Sequence, residues 1–183
     1  MPLFSSVTDV FHDADTLRQR RYGIIEVING RFHQVHLRPW PKILVGPELI
    51  WLGNWLHRQR RGDRLLLYYN QPWRFSNFLA LAYALSSRGT SMRSIRIGLA
   101  VLDEIARLKT SDALLCDVSN WRISQRFMQR WGWEPHCPTA WWHRHFIKRF
   151  YGTYPPSPKW LCAIASGPNA PAAEAQPSSP DRQ

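Results

Sequence analysis

Between residues 78 and 118 the chain passes through four segments of sharply different character. FLALAYALS (78–86) is an apolar run bounded by polar turns, and RGTS (88–91) is a polar turn. From Met92 to Lys109 the apolar residues Met92, Ile95, Leu99, Leu102, Ile105 and Ala106 recur at steps of three, four, three, three and one. That spacing predicts an amphipathic helix over 92–109. ALLCDV (113–118) is a second short apolar run and reads as a strand. The run 78–86 reads as a buried strand, and its alanines and leucines suit a helix equally well. A strand joined to a strand through a long helix is how parallel neighbours connect, so a purely antiparallel architecture is disfavoured from the start.

The remaining pattern adds antiparallel strands. Residues 23–37, GIIEVINGRFHQVHL, place two runs rich in Ile, Val and Phe around Asn29-Gly30. That dipeptide suits the positive φ values of a type I′ turn, so the segment predicts a β-hairpin. RLLLYYNQ (64–71) follows the Gly62-Asp63 turn as a strand, and WWHRHFIKRFY (141–151) reads as the last strand. Helices are expected at about 8–20, at 48–60 and at 121–131, the last with Gly132 just past its end. The order predicts a mixed α/β fold with a sheet partly antiparallel and partly parallel. One domain is expected over 1–164. The Pro-, Ala- and Ser-rich end, 165–183, is expected to be a disordered tail.

Composition narrows the function classes. The formal net charge of +11 implies an anionic ligand or partner. Ten tryptophans are more than one core of this size encloses, so some are expected at the surface or in a groove. Cys116, Cys137 and Cys162, odd in number and widely spaced, argue against a disulfide framework. No apolar run is long enough to span a bilayer, and the first residues lack a signal-peptide pattern. The expectation is a cytoplasmic protein without a membrane partner.

The turn before the long helix is the first candidate site. Unsatisfied N–H groups at a helix N-terminus favour phosphate. Arg88 and Arg93 add charge, and Thr90, Ser91 and Ser94 add hydroxyls. The same residues are also ordinary capping residues. The weighting changes with the whole stretch 83–133, which resembles the acetyl-CoA-binding core of the GNAT superfamily of N-acetyltransferases. The turn R-G-T-S-M-R (Arg88–Arg93) is similar to that family's Q/R-x-x-G-x-G/A. The next strand leads to Asn120, and F-M-Q-R-W-G-W (Phe127–Trp133) looks like the family's F-Y-x-K-x-G-F.

The resemblance implies a GNAT-like mixed sheet flanked by helices. Its N-terminal part would be antiparallel, and a splayed parallel pair would form the cofactor cleft. It implies acetyl-CoA, or another acyl-CoA, as cosubstrate, bound by Arg88, Gly89, Thr90, Ser91, Arg93, Ser94 and Asn120. The reaction implied is acyl transfer to an amine of unidentified acceptor, with no metal. A backbone N–H on the strand at 80–87 would polarise the thioester carbonyl. Glu26, His33 and His36 are candidate bases by type alone, and no catalytic residue is assigned.

Two other readings compete. Ser91 and Arg93 stand where the family has small motif residues, and Met128 where many members place a Tyr. These departures favour a catalytically inactive domain that binds nucleic acid or a protein through a basic, Trp-rich surface. Arg122, Arg126 and Arg130, at i, i+4 and i+8, would line one helical face of that surface. His136, Cys137, His143 and His145 include zinc-type ligands, but their spacing matches no zinc pattern, so none is expected.

Overall fold

The computed structural model describes residues 5–40, 62–118, 124–136 and 144–161. In chain order the elements are β1 (Ser5–Val7), α1 (Ala14–Gln19), β2 (Tyr22–Ile28), β3 (Arg31–Arg38), β4 (Arg64–Asn70) and β5 (Phe78–Ser86), then α2 (Met92–Leu108), β6 (Ala113–Val118), α3 (Gln125–Gln129), β7 (Glu134–Pro135) and β8 (Arg144–Arg149). The strands form one sheet in the order β1-β3-β2-β4-β5-β6-β8-β7. Only the β5–β6 neighbours run parallel, and α2 connects them. The fold is therefore α/β with a mixed, mostly antiparallel sheet.

The Asn29-Gly30 hairpin forms as its turn chemistry predicts. Asn29 and Gly30 take φ 51 and φ 66, the left-handed pair of a type I′ turn. Its register then shifts: Glu26 pairs with Gln34 while Val27 pairs with Phe32, so His33 is an extra residue. The cause lies in the apolar pattern. Phe32, Val35 and Leu37 all pack toward the core, and the three-residue step from 32 to 35 breaks strict alternation. One bulged residue restores it.

Helix α2 covers one face of the sheet, against β2, β3 and β4. Ile97, Val101, Leu102, Ile105 and Ala106 form its buried stripe. Gly98 lets it sit close: a Cβ there would lie 2.8 Å from Leu65 Cδ2 and 2.9 Å from Leu67 Cδ1. On the same side of the sheet the ring of Tyr69 fills the space over Gly23, where a Cβ would fall 2.5 Å from the hydroxyl oxygen. Leu17 of α1 is buried, and α1 packs on α2.

Three boundaries differ from expectation. The helix expected at 8–20 covers only 14–19, because Ser5–Val7 pairs with β3 and the Asp9 carboxylate accepts from the N–H groups of Phe11 (2.8 Å) and His12 (3.0 Å). Such an Asx-type turn draws the backbone away from a helix. The described part of the helix expected at 121–131 begins at Ser124, whose hydroxyl accepts from Phe127 N–H at 3.1 Å. It ends as predicted at Gly132, φ 77, with Trp133 N–H donating to Met128 O and Gly132 N–H to Gln129 O. That pair of bonds is a Schellman closure. The two-residue strand β7, pairing with β8, was too short to signal itself. The helix expected at 48–60, the tail at 165–183 and the first residues of the strand expected at 141–151 lie outside the described residues. Among the described residues no helix is long and apolar enough to cross a membrane.

Candidate functional site

The parallel pair β5–β6 is bonded only from Phe78–Leu81 to Ala113–Cys116. Both strands continue, β5 to Ser86 and β6 to Val118, without further pairing between them. The reason is local. On its other edge β5 pairs Leu81 with Tyr69 and Tyr83 with Tyr68, so Ala82 is bulged out. A bulge bends and twists its strand, and this one falls one residue after the last residue bonded to β6. The strands part there. Among the described residues, the β5–β6 ladder ends at Leu81 and Cys116. Cys116 sits at the parting point, and burial, with Asp117 beside it, pushes its thiol up to about 12.

Past β5 the chain turns into α2, and here the predicted phosphate-binding hydroxyls have partners inside the protein. Ser91 caps the helix by accepting from Ser94 N–H at 3.1 Å. Its own hydroxyl donates to Asp63 Oδ2 at 2.6 Å and its N–H to Asp63 Oδ1 at 3.0 Å. Thr90 Oγ lies 2.9 Å from both Arg64 O and Ser87 O. Ser94 is buried, and its Oγ accepts from Gly30 N–H at 3.0 Å. Burial alone would raise the Asp63 carboxyl; the bonds from Ser91 and Ser94 outweigh it and hold it below its ordinary value. A carboxylate therefore already occupies the positive end of α2. Arg88 and Gly89 are exposed, as is Arg93, whose stem lies over Gly30. Asn120 lies outside the described residues.

A second polar cluster lies on the sheet face opposite α2. Glu26 is 3% exposed. Its Oε1 accepts from Arg64 Nε at 2.8 Å and lies 2.5 Å from a terminal Arg64 nitrogen. Its Oε2 accepts from Gln34 Nε2 at 3.1 Å and meets His36 Nε2 at 3.0 Å. Burial would push this carboxyl up, but the bonds from Gln34, His36 and Arg64 and the Arg64 charge overcome it and hold it at about 2. Of the three candidate bases, the structure thus brings Glu26 and His36 together and leaves His33 apart at the bulge. An ionised carboxylate only accepts hydrogen bonds, so His36 Nε2 carries a proton. Nδ1 is the nitrogen able to take one. Beside the cluster, Tyr68 and Tyr83 meet edge to face at 6.1 Å.

Two further residue sets were singled out by sequence. Arg126 and Arg130 are both exposed, at and just past the end of α3, while Arg122 lies outside the described residues. Of the zinc-type residues, His136 is exposed and donates its N–H to His145 O at 2.7 Å; Cys137 and His143 lie outside. Among the described residues no three His, Cys, Asp or Glu side chains converge as a metal site.

Sequence reasoning missed Asp63 and Arg64 as members of these clusters. Asp63 meets its partner 28 positions away, and a strand arginine carries no signal of its cross-strand neighbour. The chain matches no protein-family model, no curated protein and no solved structure.

Proposed function

We propose that the chain is an acyl-CoA-dependent N-acyltransferase with a GNAT-like layout, moving an acetyl or longer acyl group from the thioester to an amine. The observation that supports this reading is the parallel pair parting after Leu81 and Cys116, at the bulge of Ala82. An extended cofactor arm fits such a gap, and backbone N–H groups of β5 past Leu81 that face it would be donors for a thioester oxygen. In the reaction the amine nitrogen forms a bond to the thioester carbon, the C–S bond breaks, and the sulfur leaves as thiolate to take a proton from solvent. The amine proton goes to a base, for which His36, held through Nε2 by Glu26, is a candidate by chemistry, although β3 lies three strands from β5.

In this reading the pyrophosphate falls to Arg88 and Arg93, since Asp63 already engages Ser91. Isothermal titration with acetyl-CoA tests it. Micromolar binding, weakened about tenfold or more in Arg88→Ala and Arg93→Ala, is the expected result. No binding of acetyl-CoA or of longer acyl-CoAs overturns the reading.

A second reading rests on a different surface. Trp73 is 74% exposed, with the Arg21 guanidinium 4.1 Å from its ring centre and Phe75 exposed nearby in sequence. Arginine beside an open aromatic suits the bases and phosphates of single-stranded nucleic acid. Single-strand binding that falls steeply with salt and is lost in Trp73→Ala would favour this function over acyl transfer.

A further inference from the structure

The sheet face opposite α2 carries a cavity of about 490 Å³ where β1, β3, β2 and β4 lie side by side. That volume is within the range of small-molecule sites. Its polar lining is Ser5, Ser6, His36, Arg38 and Arg64. Ile24 and Leu66 supply apolar surface. We infer that this cavity binds a small anionic ligand, one bearing a carboxylate or a phosphate group.

Charge carries the argument first. Among the described residues, no Asp or Glu lines the cavity. The carboxylate nearest to it, Glu26, has its side chain only 4% exposed, and both its oxygens are occupied. Glu26 offsets one positive charge and leaves a second: among the described residues no carboxylate lies within ion-pair distance of Arg38. The field of that charge reaches further along the face, since Arg38 and Arg64 both act on Tyr68.

Geometry carries it second. Glu26 grips Arg64 by Nε and one terminal nitrogen, along one edge of the guanidinium. It also fixes which nitrogen of His36 carries the proton. Donors held in place before a ligand arrives lose little freedom on binding it. Arg38 and Arg64 offer the planar donor forks that suit carboxylate and phosphate oxygens. Ser6, opposite His36 on this face, adds a hydroxyl from β1. The cavity spans strands one to four places from β5, about 5 to 19 Å at ordinary strand spacing. If the chain transfers acyl groups, the ligand is thus the anionic end of the amine acceptor. The binding claim itself does not need that reading.

The test uses the full chain with no acyl-CoA present, so its result is separate from that of the acetyl-CoA titration. Inorganic phosphate and, in a parallel arm, succinate are titrated at constant ionic strength and followed by calorimetry. Saturable binding with a Kd of a few millimolar or tighter is expected for at least one of them. The preferred arm tells phosphate from carboxylate. Arg38→Ala should weaken it about tenfold or more, and Arg74→Ala, an exposed arginine in the β4–β5 connection, should leave it unchanged. His36→Gln, which keeps a donor toward Glu26, should weaken it less and serves if Arg38→Ala does not fold. Equal binding by the Arg38 and Arg74 variants would mean only the general positive field is felt, and the proposal fails. Absence of saturable binding in both arms also overturns it.

Discussion

The two faces of the β2–β3–β4 sheet are built on opposite principles. Toward α2, Ile25, Val27, Leu67 and Tyr69 are buried without a charged group among them, and glycines at 23 and 98 set the packing distance. On the other side Glu26, Arg64, Gln34 and His36 alternate with them along the same strands. The first face is closed by fit and the second by charge pairing. Close packing tolerates no added atom, whereas an ion-paired face tolerates change in shape and is sensitive to proton uptake. The difference teaches where function can reside. The face toward α2 is filled, and the opposite one keeps a positively lined cavity.

The largest expected effect tests the packed face. Gly23→Ala puts a methyl into the ring of fully buried Tyr69, which has no space to retreat. A loss of about 3 kcal/mol or more in urea unfolding is expected. A loss below about 1 kcal/mol would show that the ring can move and that this face is less tightly fitted than the distances say.

Glu26→Gln tests the charged face. Removing one partner of a buried pair should cost about 2–3 kcal/mol near neutral pH. The pH dependence is more diagnostic. The folded carboxyl, at about 2, lies below its ordinary 4.5. The unfolded chain therefore binds the proton first, and the stability from this group is complete above about 4.5 and is lost as pH falls toward about 2. Glu26→Gln should lack that share of the acid slope, in unfolding curves taken from pH 5 to pH 2. An identical slope in both proteins would remove Glu26 as the anchor of the cluster.

The smallest effect sharpens the contrast at the edge of the two faces. Asp63→Asn keeps one acceptor for Ser91, replaces the other with an amide donor and withdraws the negative charge from the α2 N-terminus, and should cost about 1 kcal/mol. In the acyl-CoA reading the same change should tighten acetyl-CoA binding, because it removes a carboxylate from beside the phosphates. Weaker binding in Asp63→Asn would point to Asp63 as a support for the site instead of a competitor.

Much of the scaffold was legible because its signals are local. The Asn29-Gly30 turn, the apolar stripe of α2 and the 78–86 and 113–118 runs each carry their own boundary residues, and β5 and β6 begin and end where those runs do. The hairpin bulge left a trace in the sequence too, in the step from Phe32 to Val35. The clusters were harder. Glu26 and His36 could be named as bases by type, yet only the shifted register puts them 3.0 Å apart. Ser91 and Ser94 looked like ligand donors because nothing in their neighbourhood of sequence announces Asp63. Side-chain partners across a sheet or a loop are a property of the assembled fold.

The bulge at Ala82 has one further consequence. It creates a strand edge in the interior of a sheet, where edges are normally absent. Elsewhere such an edge invites another chain to add itself as a strand. Here β6 flanks it on the far side. A protein segment with bulky side chains is a poor occupant. In the acyl-CoA reading, a thin, flexible molecule with amide groups along its length would lie there as a missing strand, bonded to β5 as a peptide would be.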